Sequence, residues 1–140
     1  MKTLIVEDNL TESLLLQILL RPQGHCDAVS DGHEALRLVS AAEAAGQPYD
    51  LICLDIAMPR MDGQAVLQAI RAAETGRGVL LGHGVKVIMT TSHGDPPNVL
   101  HAFREQCDGY LLKPVSRDKL LKLLTELHLL DGPRPAAAAV

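Results

Sequence analysis

The sequence predicts an α/β domain in which a parallel sheet carries helices on both faces. Two observations lead to that class. Short aliphatic runs alternate with longer amphipathic segments along the chain, five of each in turn. In addition, the short runs end on chemically active side chains, namely Glu7-Asp8, Asp55, Thr91-Ser92 and Lys113. In open α/β sheets the carboxyl ends of the strands are where ligands bind.

The elements follow in order. LIV at 4–6 is a short strand ending at Glu7-Asp8. Asn9 suits a helix N-cap, and Leu14, Leu15, Ile18 and Leu19 give a helical stripe that stops at Arg21-Pro22. Residues 25–29 form the second strand, and a second helix runs over 33–45 around Leu36 and Val39. The run LICLD at 51–55 is the third strand, fully apolar until its last residue. Asp62-Gly63 reads as turn chemistry, and Val66, Ile70 and Ala73 mark a third helix over about 63–73. The glycine-studded connection 75–84 is longer than the usual two to six residues. Strand four is 85–90, Asp95-Pro96 opens a fourth helix, and strand five is 110–112. A final helix over about 116–130 presents Leu120, Leu123, Leu124 and Leu127. The last ten residues, 131–140, read as a flexible Pro/Ala tail or a severed linker after a domain spanning 1–130.

Composition narrows the function. A chain of 140 residues is one domain with one core. With no Trp, one Phe and two Tyr, that core packs aliphatic side chains. A net charge of −4 gives no diffuse basic surface for nucleic acid or an anionic membrane. Cys26, Cys53 and Cys107 are too scattered for a disulfide framework or a zinc site, Cys53 reads as a buried thiol, and a reducing cytoplasm fits. The apolar run at 14–20 is far short of the ~20 residues of a membrane span, so no membrane contact is expected.

The strand ends carry the chemistry. Glu7, Asp8 and Asp55 converge on one sheet edge with a formal charge of about −3, which needs an opposing partner. Lys113 and a divalent cation together supply about +3. A few hard oxygen ligands suit Mg²⁺, and the absence of Cys or His at these ends gives zinc no support. Alone, Asp55 reads as a cap or turn residue, Glu7-Asp8 as an acidic turn, and Lys113-Pro114 as a strand terminator.

Taken together, LIVEDN, LDIAMPRMDG, VIMTTS and YLLKP resemble the receiver domain of bacterial two-component response regulators, from residue 2 to about 130. The resemblance implies a flavodoxin-like, doubly wound five-stranded sheet of order 2-1-3-4-5 with five helices. It implies Asp55 as phosphoacceptor and nucleophile, with Mg²⁺ held by Asp8, Asp55 and the Ala57 backbone carbonyl, and Glu7 acting through water. Lys113 would pair with Asp55 and then with a phosphoryl oxygen. Thr91 and the Ser92 backbone N–H would bind other phosphoryl oxygens, and Tyr110 would swing inward behind Thr91. A cis bond at Lys113-Pro114 is the family's habit. The implied partners are a sensor histidine kinase or histidine phosphotransfer protein, and a downstream target on the face of the fourth helix, fifth strand and fifth helix. No DNA-binding domain follows, so the chain reads as a stand-alone receiver or a fragment, and as no enzyme beyond promoting its own phosphorylation and dephosphorylation.

Several positions depart from the family. Ala57 and His93 stand where residues flank the hydrolytic water, and Ala57 has no side chain to orient it. Val115 replaces a frequent Phe, and Gly109 precedes Tyr110, which weakens a shared dimer surface. Competing readings fare worse. A flavin carrier would need a hydroxyl-rich phosphate loop after strand one, where Glu7-Asp8 stand. An aspartyl-phosphate hydrolase needs a general acid two residues after the nucleophile, where Ala57 stands. A docking module that is never phosphorylated keeps the same residues and is separated only by experiment.

Overall fold

The computed structural model describes residues 1–58, 60–80, 82–92 and 106–130. Five strands, β1 (Thr3–Val6), β2 (Cys26–Val29), β3 (Leu51–Asp55), β4 (Lys86–Thr91) and β5 (Gly109–Leu112), form one parallel sheet of order β2-β1-β3-β4-β5. Four helices are described: α1 (Leu10–Leu20), α2 (Gly32–Ala44), α3 (Gly63–Gly76) and α4 (Arg117–Glu126). The helix expected from Asp95, His93 and the tail 131–140 lie outside the described residues, so α4 is the last of the five helices expected. It is shorter than the expected 116–130, and Ser116 caps it by accepting from the Lys119 N–H at 3.4 Å.

Strand alternation divides the core between two faces. Leu4, Val6, Ile52, Leu54, Val87 and Met89 meet Ala35 of α2 and Val66, Leu67 and Ile70 of α3. Ile5, Leu51, Cys53, Ile88 and Leu111 point the other way, onto Leu16 and Leu20 of α1 and Leu120 and Leu124 of α4. Each such buried Leu or Ile contributes about 1.5–3 kcal/mol relative to exposure. Cys53 is buried as expected, and burial first, then nearby Cys26, pushes its thiol up to about 12.

One sequence expectation needs correction. Of Leu14, Leu15, Ile18 and Leu19, only Leu15 and Leu19 are half-buried, Leu19 against the core, and Leu14 and Ile18 face outward. Ser13, Leu16 and Leu20 are buried, whereas Leu10, Leu14 and Ile18 are 72%, 46% and 65% exposed. The segment is apolar at almost every position from 14 to 20, so its period selects no face. The sheet decides instead.

The long connection before β4 is tied down at its ends. Arg71 pairs with Glu74 at 2.7 Å and with Asp108 at 3.0 Å, and it also donates to the Val85 and Gln106 carbonyls. Glu74 in turn accepts from the Val85 N–H at 2.7 Å, and Asp108 from the Val87 N–H at 2.8 Å. A Cβ on Gly84 would collide with the Glu74 carboxylate, so glycine is what admits this approach. The network lies at the start of β4 and β5, away from the carboxyl ends of the strands.

Candidate functional site

Strand register brings the chemically active residues together. Val6 pairs with Leu54, Asp55 with Thr90 and Thr91 with Leu112, so β1, β3, β4 and β5 end near one level. Glu7, Asp55 and Lys113 therefore emerge at a common edge. The backbone seals it: Ile56 N–H donates to the Thr90 carbonyl at 3.0 Å and Lys113 N–H to the Thr91 carbonyl at 2.6 Å. Behind Asp55, the turn folds back so that Gly63 N–H donates to the Ile56 carbonyl at 3.0 Å. A Cβ at Gly63 would strike the Asp55 carbonyl, and Asp62 caps α3 by accepting from the Ala65 N–H. The Asp62-Gly63 pair thus fixes the strand end that presents Asp55.

Asp55 and Glu7 are 3% and 2% exposed, while Asp8 is open to solvent. Oxygens of Glu7, Asp8 and Asp55 lie within 4.8 Å of one another. The Lys113 ammonium sits among the carboxylates, 2.7 Å from Glu7, 2.7 Å from Glu12 and 3.0 Å from Asp55. Burial would lower the lysine pKa, but Glu12, Glu7 and Asp55 outweigh it and hold the amine charged. Burial also raises the Glu7 pKa from 4.5 to about 8, against the opposing pull of Lys113, and it raises Asp55 too. One ammonium does not neutralise this cluster. The residues therefore fit a divalent cation, whose charge and preference for carboxylate oxygen match what is missing.

The remaining expected residues fall around this centre. Ala57 is exposed in the following turn, and its N–H donates to Asp55 Oδ1 at 3.2 Å. Thr91 is buried at the end of β4, with its hydroxyl 3.4 Å from the Ser92 carbonyl, and Ser92 itself is exposed. Tyr110 points outward from β5, 48% exposed. The Lys113-Pro114 bond is cis.

Glu12 was not anticipated. Asn9 and Glu12 have capping-box spacing, in which the glutamate normally accepts from the cap residue's own N–H. Here Asn9 Oδ1 does accept from the Glu12 N–H at 3.0 Å, but the Asn9 N–H goes to Glu7 Oε2 at 3.0 Å. The Glu12 carboxylate is released from capping and turns to Lys113. The spacing was visible in the sequence; the substitution of Glu7 as acceptor was not.

Comparison with known proteins agrees with the geometry. The family model described as "Response regulator receiver domain" matches residues 3–125. The chain is 30% identical over 89% of its length to the osmosensing histidine protein kinase SLN1 of Saccharomyces cerevisiae, and 30% identical over 97% to the transcriptional regulatory protein ZraR of Escherichia coli. It spans only 10% and 29% of those proteins. Among solved structures, the receiver domain of sensor histidine kinase PA1611 from Pseudomonas aeruginosa, with magnesium coordinated in its active site cleft, superposes with a TM-score of 0.69. It is 29% identical, with 91% of this chain and 97% of that one covered. The Mg²⁺ complex of the receiver domain of histidine kinase CKI1 from Arabidopsis thaliana gives a TM-score of 0.75 at 26% identity, over 90% of each chain. Matched from strand to strand, the chain belongs to the response regulator receiver domain family of phosphorelay signalling.

Proposed function

We propose that the chain is a working phosphoryl acceptor, with Asp55 taking a phosphoryl group from a phosphohistidine on a sensor histidine kinase or histidine phosphotransfer protein. The observation that carries this is the buried Asp55 carboxylate, clustered with Glu7 and Asp8 and 3.0 Å from the Lys113 ammonium. An Asp55 oxygen bonds to phosphorus as the donor's P–N bond breaks, and the histidine, protonated on its other nitrogen, departs as neutral imidazole. Lys113 orients Asp55 beforehand and neutralises a phosphoryl oxygen afterwards. Asp8, Asp55 and the Ala57 carbonyl would hold Mg²⁺, with Glu7 through water; the ion's contribution when bound is charge neutralisation for the dianionic group.

Phosphorylation adds about one charge and three strong acceptors, to which the Thr91 hydroxyl and the Ser92 N–H would donate. Thr91 moving inward would leave room for Tyr110, which is half-exposed on β5, to swing in behind it. The output face would include β5 and α4, and the helix expected from Asp95 lies outside the described residues. A donor has an apolar landing surface beside the site, since Leu10, Leu14 and Ile18 are exposed at i, i+4 and i+8 starting two residues after Asp8. The domain acts in the cytoplasm and promotes only its own phosphorylation and hydrolysis. No helix among the described residues is long and apolar enough to cross a membrane.

The test is transfer of labelled phosphate from a phosphorylated histidine phosphotransfer protein, with the Asp55→Asn variant alongside. Label that moves to the wild-type chain and not to the variant supports the reading. Label that moves equally to both sinks it.

A further inference from the structure

We infer that Glu12 is a positioning residue that gates Lys113, holding the ammonium until a phosphoryl group displaces it. This rests on the phosphoacceptor reading above and deepens it. Oxygens of Glu7, Glu12 and Asp55 lie 2.7, 2.7 and 3.0 Å from the Lys113 ammonium, which has three N–H donors, so an arriving phosphoryl oxygen competes with these carboxylates for it. Asp55 is the nucleophile and stays. Glu7 is buried at the base of the site, and its other oxygen accepts from the Asn9 N–H. Glu12 is the partner that can leave: its side chain is 34% exposed, against 1% for Glu7 and 4% for Asp55. It stands in the first turn of α1, which Asn9 caps without help from the Glu12 carboxylate.

The arrangement has a cost for the incoming group. Glu12 adds a fourth carboxylate to a site that must accept a dianion, and it occupies the ammonium donor the dianion needs. Phosphorylation by acetyl phosphate writes this out: an Asp55 oxygen bonds to phosphorus, the donor's P–O bond breaks, and acetate leaves with the electron pair. Formal charge is −3 on each side, so no proton moves, and the change at Lys113 is an exchange of Glu12 for a phosphoryl oxygen.

Glu12→Gln tests the gate, because glutamine keeps the shape and removes the charge. With acetyl phosphate and Mg²⁺, the variant is expected to be phosphorylated on the order of three- to tenfold faster than wild type, with Glu12→Asp between the two. A second readout needs neither metal nor phosphate. The side-chain ¹⁵N signal of Lys113 in the metal-free protein shifts in Glu12→Gln if the ion pair exists in solution. A purely structural Glu12 would change thermal stability and leave the rate ratio at one. Equal or slower phosphorylation of the variant, or an unmoved Lys113 signal, overturns the gate while leaving Asp55 as acceptor. Failure of wild type to form any Asp55 adduct, from acetyl phosphate or from a histidine phosphotransfer protein, overturns both.

Discussion

Lys113 Nζ lies closer to Glu12, at 2.7 Å, than to Asp55, at 3.0 Å. The lysine is thus shared between Asp55, the proposed acceptor, and a carboxylate on a neighbouring helix. With Glu7 the third partner, one ammonium faces three carboxylates, and the behaviour of the site follows from that imbalance.

Lysine and a divalent cation serve the same negative charge, so removing one strengthens the hold of the other. Lys113→Gln is expected to melt at lower temperature without metal and to bind Mg²⁺ about three- to tenfold more tightly than wild type. Isothermal titration and a thermal melt read both quantities. Weaker Mg²⁺ binding in the variant would show that the lysine supports the metal site instead of competing with it.

The pH dependence has a fixed sign. Burial raises the metal-free Glu7 pKa from 4.5 to about 8, so the fold binds a proton there that the unfolded chain releases above 4.5. Metal-free stability from this group is present below pH 4.5 and is lost as pH rises towards 8. A divalent cation needs the deprotonated carboxylate. The rise in melting temperature on adding Mg²⁺ should therefore grow between about pH 6 and 8, with proton release on binding. A stabilisation that is flat or shrinks over that window contradicts the assignment.

At the other end of the sheet, Arg71 is 16% exposed and joins Glu74 and Asp108. Breaking such a pair strands buried charge. Arg71→Met should cost about 3 kcal/mol in denaturant unfolding and leave Asp55 phosphorylation of the folded protein unchanged. A loss below about 1 kcal/mol would mean that the long connection holds its place without this network.

In the proposed phosphorylated state, Ala57 would give a hydrolytic water no side chain to lean on. Ala57→Asn is expected to change the lifetime of the phosphorylated protein, followed by loss of the adduct after donor removal. An identical lifetime would mean that the backbone and the metal alone set it.

How much of this was legible in the sequence depended on where each signal lay. The sheet and its active edge were, because β3 runs through four apolar residues to Asp55 and the other strands also end on reactive side chains. The inner face of α1 was not. With leucine or isoleucine at six of the seven positions from 14 to 20, only contact with the sheet chooses Leu16 and Leu20 over Leu14 and Ile18. Glu12 was hidden for a different reason: its spacing from Asn9 has a local explanation, and the chain departs from it through Glu7, a partner set by tertiary structure. Likewise, the ion-pair network at the start of β4 and β5 could not be read until Arg71 and Asp108, thirty-seven residues apart, were seen to meet.

The central claim is that Asp55 accepts phosphate. Intact mass after incubation with acetyl phosphate and Mg²⁺ tests it most directly, alongside a metal-free sample and Asp55→Asn. A single phosphoryl adduct on wild type, absent from both controls, is the predicted result. An adduct that persists in Asp55→Asn would contradict it.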